Sequence, residues 1–311
     1  MANGEISPRD LSFLGRLPSR AGIEATYELL GTGYFSKVYR CAVNGRKDQV
    51  AVKVYDEGSA VSDWLKVDGD PSSNRDHPHL VRLLQVVDGP PDCLLFELCR
   101  GGTLDAFLRG TPPDCFQCVD IGQRVRAGYE VASAIEYLHG LDIVHRSVKP
   151  SNVFLVQPVV ASDPFKLPTV KLGDLRLARY VYGPRNNWQM ERCIGAARYM
   201  APEVVTEDDY GLPADMFSYG ILLHELTTGE VPCNRDASQS EDDDVRIILN
   251  ILEGGRPSLD GLAGHGIMAE LRRLLGECWD ADTTRRPAAA DLVTRIRGIV
   301  ESTAAALDLP D

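Results

Sequence analysis

The stretch that most constrains this chain runs Ile143-Val144-His145-Arg146-Ser147-Val148-Lys149-Pro150-Ser151-Asn152-Val153-Phe154-Leu155. Ile143-Val144 and Val153-Phe154-Leu155 are apolar runs that read as short buried strands. Between them lies a tight polar loop with a cation, Lys149, and an amide, Asn152, three residues further on. A cation suits a phosphate charge and an amide oxygen suits a metal ion, provided other anionic ligands converge on the same place. A fold that accommodates this stretch has to hold a polar loop against two buried strands.

With 311 residues the chain has room for one large domain or two ordinary ones. A content of 44% hydrophobic and 25% charged residues supplies enough apolar surface for a sizeable core. The formal charge of −12 argues against non-specific binding to nucleic acid or to an acidic membrane. The start, Met1-Ala2-Asn3-Gly4-Glu5, lacks the pattern of a secretory signal, and no apolar run approaches the ~20 residues of a membrane span. Eight scattered cysteines suit a reducing, cytoplasmic compartment better than a disulfide framework. Cys115 and Cys118 form a CxxC, but no second close pair stands at zinc spacing, so neither a metal nor a redox role is expected there. The acidic run from Ser238 to Asp244 reads as a solvated loop.

Residues 1–24 are polar and aperiodic, and read as a leader. From Tyr27 two strand-like runs flank a glycine-containing turn, Gly31-Thr32-Gly33-Tyr34-Phe35-Ser36, which is a hairpin pattern. The next strand, Gln49 to Val54, sets Lys53 among apolar neighbours, where an unpaired ammonium would be costly. Val61, Trp64, Leu65 and Asp68 fall on one face of a short helix that Gly69 and Pro71 should break. Ile121, Val125, Gly128, Val131, Ala132, Ile135 and Leu138 keep a 3.6-residue period, with Gly140 as the stop. Asp215 to Leu226 is apolar nearly all round and predicts a buried central helix. Leu292, Val293, Ile296, Ile299 and Val300 predict a final amphipathic helix, and residues 301–311 a loose tail.

Taken in order, these segments resemble the eukaryotic protein kinases from about Tyr27 to Val300. His145, Arg146, Lys149 and Asn152 fit the family's catalytic loop, His-Arg-Asp-x-Lys-x-x-Asn. Gly31, Gly33, Val38, Ala51 and Lys53 fit its glycine-rich loop and Val-Ala-x-Lys strand, with Ser36 in place of the third glycine. Asp174 stands at the aspartate of Asp-Phe-Gly. Gly195 to Glu203 resembles Gly-Thr-x-x-Tyr-x-Ala-Pro-Glu, and Asp215 to Gly220 the Asp-x-Trp-Ser-x-Gly helix with Phe217 for the tryptophan. Glu277-Cys278-Trp279 and Arg285-Arg286-Pro287 resemble the tyrosine-kinase-like and tyrosine kinases.

The resemblance implies an α+β, bilobal protein kinase fold. A small antiparallel β-sheet lobe with one short helix would span about residues 25–97, and a larger, mainly helical lobe about 98–300. It also implies ATP and magnesium. Backbone at Gly31 and Gly33 would cover the phosphates, and Lys53 would pair with the α and β groups. Val38, Ala51, Glu97 and Cys99 would complete the nucleotide set, with Phe96 at its back. Asn152 and Asp174 would hold the metal, and Asp68 stands about where a helix glutamate partners the strand lysine. Glu203 and Arg286 match the family's ion pair between the activation segment and the last helices.

Two departures concern the chemistry itself. Ser147 replaces the catalytic aspartate, and a serine cannot act as a base near pH 7 without help. A positioned base is worth ~10²–10⁴-fold in rate. Ala196 replaces the threonine that bonds that aspartate and the loop lysine. With Ser147 and Lys149 as the catalytic-loop candidates, the expected protein is a pseudokinase that binds ATP, transfers phosphate poorly and works through conformation and signalling partner proteins. Two readings stay open beside it. One is Ser/Thr transfer by an unconventional arrangement, which Lys149 two residues after Ser147 favours over tyrosine specificity. The other is a nucleotide-free interaction module, favoured by the short helix and by Arg176 at the family's glycine, where it either pairs with Asp174 or points to solvent. Between Asp174 and Glu203 the only hydroxyls are those of Tyr180, Tyr182 and Tyr199. Tyr199 is expected to pack, so a phosphate for Arg146 would come from Tyr180 or Tyr182.

Overall fold

The computed structural model describes residues 23–33, 36–43, 47–55, 76–87, 93–110, 119–160, 163, 166–181, 195–206, 210–232 and 241–307. These fall into two compact units, one ending at Asp76 and resuming over Val81–Arg100, the other formed by His77–Leu80 and the chain from Gly101 onward. The change of unit thus comes at Arg100, three residues beyond the Glu97 boundary read from the sequence. The leader up to residue 22, the Val61–Asp68 helix, Cys115, Cys118 and Tyr182 lie outside the described residues.

The first unit is a five-stranded antiparallel sheet of order β1-β2-β3-β5-β4. Its strands are Ile23–Thr32 (β1), Ser36–Val43 (β2), Val50–Tyr55 (β3), Leu83–Val87 (β4) and Cys93–Glu97 (β5). β1 begins inside the segment read as leader, because Ile23 finds a partner in Val43. Alternation along β3 explains the sheet's two faces. Val50, Val52 and Val54 are buried with Tyr39, Cys41 and Leu95 in one core. Ala51 and Lys53 are half-buried on the opposite face, where the register sets Val38 opposite Lys53 and Phe96 opposite Ala51. β-Branched valines suit such a pleated, half-buried surface.

The second unit is mainly helical. Its helices are Leu104–Leu108 (α1), Ile121–His139 (α2), Pro202–Thr206 (α3), Pro213–Thr228 (α4), Glu241–Leu252 (α5), Ile267–Cys278 (α6) and Ala289–Leu307 (α7). Two small ladders complete it, Ile143–Val144 (β6) with Arg179–Tyr180 (β9), and Val153–Leu155 (β7) with Val170–Leu172 (β8). Asp120 caps α2 by accepting from the Gln123 amide at 3.1 Å. The helix stops at His139, but Gly140 keeps right-handed backbone, and the left-handed residue of the exit turn is Asp142 at φ 58°. Every residue of α4 from Ala214 to Thr227 is buried, as its apolar run requires. α7 continues past Val300 to Leu307, so part of the segment read as a tail is helical. Likewise, the acidic run read as a loop enters α5 at Glu241. His77–Leu80 joins this unit because the Leu172 amide donates to His79 O at 2.8 Å and the His77 ring stacks on Tyr137 at 5.0 Å. Among the described residues no helix is long and apolar enough to cross a membrane. Among the described cysteines, Cys41, Cys93 and Cys278 are buried and Cys99 is half-buried.

One ion pair ties α3 to the turn before α7. Arg286 forks onto Glu203, Nη1 to Oε1 at 2.5 Å and Nη2 to Oε2 at 2.9 Å. The same guanidinium donates to Asp280 O and Pro213 O, both at 2.9 Å, and lies 5.3 Å from the Phe217 ring. With the arginine side chain 0% exposed, removing it strands the Glu203 carboxylate at a cost of roughly 3–5 kcal/mol. Arg285, its neighbour, makes a solvent-screened surface pair with Asp282 at 3.5 Å, which adds little to stability. Arg286→Ala should therefore lower the melting temperature by roughly 6 °C or more, and Arg285→Ala by roughly 2 °C at most. Equal, small shifts in a thermal melt would mean that the fork is not a structural tie.

Candidate functional site

The catalytic-loop stretch is organised by a carboxylate from another element. The first turn of α4 carries Asp215 into the interior, 0% exposed. A buried carboxylate without donors would be costly. Asp215 Oδ2 accepts from the His145 amide at 2.7 Å and lies 3.0 Å from His139 Nε2, and Oδ1 accepts from the Arg146 amide at 2.9 Å. Burial alone would raise its pKa, but the bond and charge of His139 and the contacts of His145 outweigh it and hold the carboxyl below its ordinary value. Two consecutive amides aimed at one carboxylate require a bent backbone. Arg146 accordingly sits in the left-handed region at φ 62°, which costs a residue with a Cβ roughly 1–2 kcal/mol.

His145 links the loop to the next segment. Its Nδ1 accepts from the Ser147 amide at 3.2 Å, which leaves the ring proton on Nε2, donated to Gly173 O at 3.1 Å. The bond accepted at Nδ1 requires a neutral imidazole. Burial supports this by pushing its pKa down, ahead of the opposing pull of Asp215 and Asp174.

Asn152 is fixed from two sides. Its Nδ2 donates to Ser147 O and to Ser147 Oγ, each at 2.9 Å. The Gly173 amide donates to Asn152 O at 2.9 Å, closing the hairpin in which Val153 faces Leu172. The next residue, Asp174, is left-handed at φ 60° and opens a short 3₁₀ turn, Leu175–Leu177. The hairpin thus ties Asn152 to Gly173, the residue before Asp174. With Nδ2 committed to Ser147, Asn152 offers its amide oxygen, and Asp174 a carboxylate. Such hard oxygen donors suit magnesium. Leu175 is buried, as expected of a substitute for phenylalanine. Arg176 is half-buried rather than turned out to solvent, and its charge reaches Lys149.

Ser147, Lys149 and Ala196 line a common cavity with Arg146, Gly195 and Tyr210. Gly195 is needed there: its φ is 113°, and a Cβ would stand 3.0 Å from Arg146 O. Tyr199 packs as expected, its hydroxyl donating to Glu225 Oε2 at 2.5 Å while Arg109 bonds the other Glu225 oxygen at 2.9 Å. Arg146 is buried, with Nη1 donating to the Tyr210 hydroxyl at 3.1 Å. The expectation that Arg146 awaits a phosphate thus meets a tyrosine hydroxyl from beyond α3.

In the first unit, the Gly33 amide donates to Ser36 O at 2.7 Å and closes the turn between β1 and β2. Gly31 lies opposite Val38. Lys53 is half-buried, its ammonium 5.7 Å from the Tyr55 ring centroid. Glu97 pairs with Arg82 through both backbone and side chain, accepting from the Arg82 amide at 2.8 Å and donating its own amide to Arg82 O at 3.0 Å. Cys99 is half-buried. Sequence reasoning missed the roles of His139, Asp215 and Tyr210. The one available signal was Asp215 itself, a charge at the head of an apolar helix.

The fold, loop and segment order define a protein kinase domain, and the family model for that domain matches residues 25–295. The chain belongs to the protein kinase family. It is 28% identical to serine/threonine-protein kinase VIK of Arabidopsis thaliana, covering 96% of this chain and 62% of that protein. It is 30% identical to serine/threonine-protein kinase DCLK2 of Rattus norvegicus over 76% of this chain and 29% of that protein. A mitogen-activated protein kinase kinase kinase of Drosophila melanogaster is 28% identical over 96% of this chain and 24% of its own length. The chain thus spans less than two thirds of each of these relatives.

A pH effect follows from His145. An unfolded histidine takes up a proton near pH 6.5, whereas this ring does so only at lower pH. Below about pH 6.5 the unfolded chain binds more protons, so His145 contributes stability that is complete above that pH and lost as the pH falls. His77 and His224, also held down by burial, act in the same direction. The ¹⁵N resonances of His145 should therefore remain those of the Nε2–H tautomer near pH 6. A midpoint at or above about 6.5 would contradict the bonding described.

Proposed function

We propose that this chain is an ATP-binding protein kinase domain with impaired phosphotransfer, a pseudokinase of the tyrosine-kinase-like Ser/Thr group that signals through conformation and partner proteins in the cytoplasm. One observation carries the reading. The hydroxyl of Ser147, not a carboxylate, receives Asn152 Nδ2 at the head of the loop. In protein kinases the aspartate at this place accepts the proton of the attacking hydroxyl. Ser147 Oγ can hold Asn152 and orient a neighbour by donating its own proton, but at neutral pH it cannot take a second one. Ala196 lines the same cavity and offers no hydroxyl to hold a replacement base.

The nucleotide side of the reading rests on retained groups. Lys53 and the Gly31–Gly33 turn would meet the phosphates, with Val38, Ala51, Glu97 and Cys99 around the base and ribose. Asn152 and Asp174 would hold magnesium, which when bound neutralises phosphate charge. Two observations support this: the Nδ2 bonds fix the Asn152 side chain, and the Gly173 amide, one residue before Asp174, donates to Asn152 O. A second reading, weak Ser/Thr transfer, is favoured by this same intact loop geometry, because phosphoryl transfer depends largely on positioning and charge.

If the nucleotide groups act together, MgATP at a hundredfold excess over its Kd should stabilise the fold by ~2.7 kcal/mol. Lys53→Ala should abolish most of the thermal shift. No shift at all with millimolar MgATP would favour a nucleotide-free module.

The two losses are tested together. Ser147→Asp should gain little ATP-dependent transfer to a generic Ser/Thr substrate, and Ala196→Thr none. The double variant should exceed the sum of both, as residues sharing one network do. Robust transfer by the unmodified chain, lost on Asp174→Ala, would overturn the reading.

A further inference from the structure

The cavity beside Ser147 has an unusual charge balance. Its described lining includes two cations, Arg146 and Lys149, and neither aspartate nor glutamate. It is a small, partly open hollow of about 20 Å³, room for a single oxygen-sized group, between the catalytic-loop stretch, the Gly195–Ala201 segment and the start of α4. Family members carry a carboxylate at the Ser147 position and a hydroxyl at the Ala196 position, so here one negative charge and one polar group are missing from the wall. The positive groups remain.

Lys149 shows the consequence. Among the described residues no hydrogen bond or ion pair reaches its ammonium. Its side chain is half-buried, and the charges of Asp174, Arg176 and Asp105 act on it from outside the cavity lining. An oxyanion in the cavity would give Lys149 a charge-assisted bond. Ser147 adds a donor: its Oγ already accepts from Asn152, so its own proton is available to a ligand oxygen.

We infer that this cavity is an anion subsite, which takes the carboxylate or phosphoryl oxygens of an acidic side chain on a partner peptide where an active kinase takes a neutral hydroxyl. Lys149 supplies the pairing charge, Ser147 a hydrogen bond, and Ala196 the space. The inference rests on the reading that Ser147 is not a base, and it converts that loss into a binding preference. A protein built this way would hold acidic or phosphorylated segments without turning them over.

Titration of the full chain, free of nucleotide, with N-acetyl-O-phosphoserine amide, N-acetylglutamate amide and N-acetylserine amide tests it, with binding followed by NMR. One or both anionic probes should bind roughly tenfold or more tighter than the serine probe. Preference for one anion tells a phosphorylated segment from a plainly acidic one. Ser147→Asp should cut anion binding by roughly tenfold, since it restores the family's own negative charge. Lys149→Gln should do the same, and serves if the first variant folds poorly. Equal binding of all three probes, or anion binding untouched by both variants, would overturn the inference. So would its loss on Lys53→Ala, which would put the probe in the nucleotide set instead. Radiolabel transfer measured on the same preparations keeps the two ideas apart: robust transfer sinks the proposed function, while the probe series alone decides the subsite.

Discussion

The structure around the candidate site depends on a single buried carboxylate. Asp215 gathers His145 N, Arg146 N and His139 Nε2, and in doing so holds Arg146 in a left-handed conformation it would not adopt alone. Charge-assisted bonds of this kind are about twice as strong as neutral ones, which is enough to fix a local backbone cost of roughly 1–2 kcal/mol. From that bend follow the placing of the His145 ring against Gly173, of Ser147 against Asn152, and of the hairpin that carries Asp174. Losing the base at position 147 removes none of these bonds, because they run through backbone groups and through the serine's own hydroxyl.

A second set of buried charges keeps the rest of the large unit in order. Glu203 is forked by Arg286, and Glu225 is shared by Tyr199 and Arg109. Burial raises the Glu225 pKa, against the bonds of Tyr199 and Arg109, and pushes that of Tyr199 well above the ordinary tyrosine value. The buried charges that hold the scaffold are thus distinct from the side chains at positions 147 and 196, so those positions can change while these bonds stay.

The charge balance at the loop changes with that drift. A carboxylate beside a lysine makes a nearly neutral pocket suited to a hydroxyl. A serine beside the same lysine makes a positive one, and half-burial of Lys149 strengthens the field it exerts. In the proposed subsite, that one residue changes which side chains the pocket would take.

Much of the fold was legible in residues alone. Valines at alternate positions dictate the faces of β3, and the apolar run from Met216 to Leu226 dictates a buried α4. Resemblance to the family's catalytic loop, carried by His145, Arg146, Lys149 and Asn152, identified the loop. Boundaries were less legible. β1 extends back to Ile23 because Val43 is available to pair with it, and α7 runs on to Leu307 through alanines that carry no amphipathic signal. Three features belonged to tertiary structure alone: the donors on Asp215, the Tyr210 hydroxyl on Arg146, and the transfer of His77–Leu80 to the second unit. Each joins residues far apart in the chain, and local pattern cannot specify which distant donor meets a buried charge. The sequence determined that a serine stands at position 147; only the packing decided that it lines a cavity with a half-buried lysine on its wall.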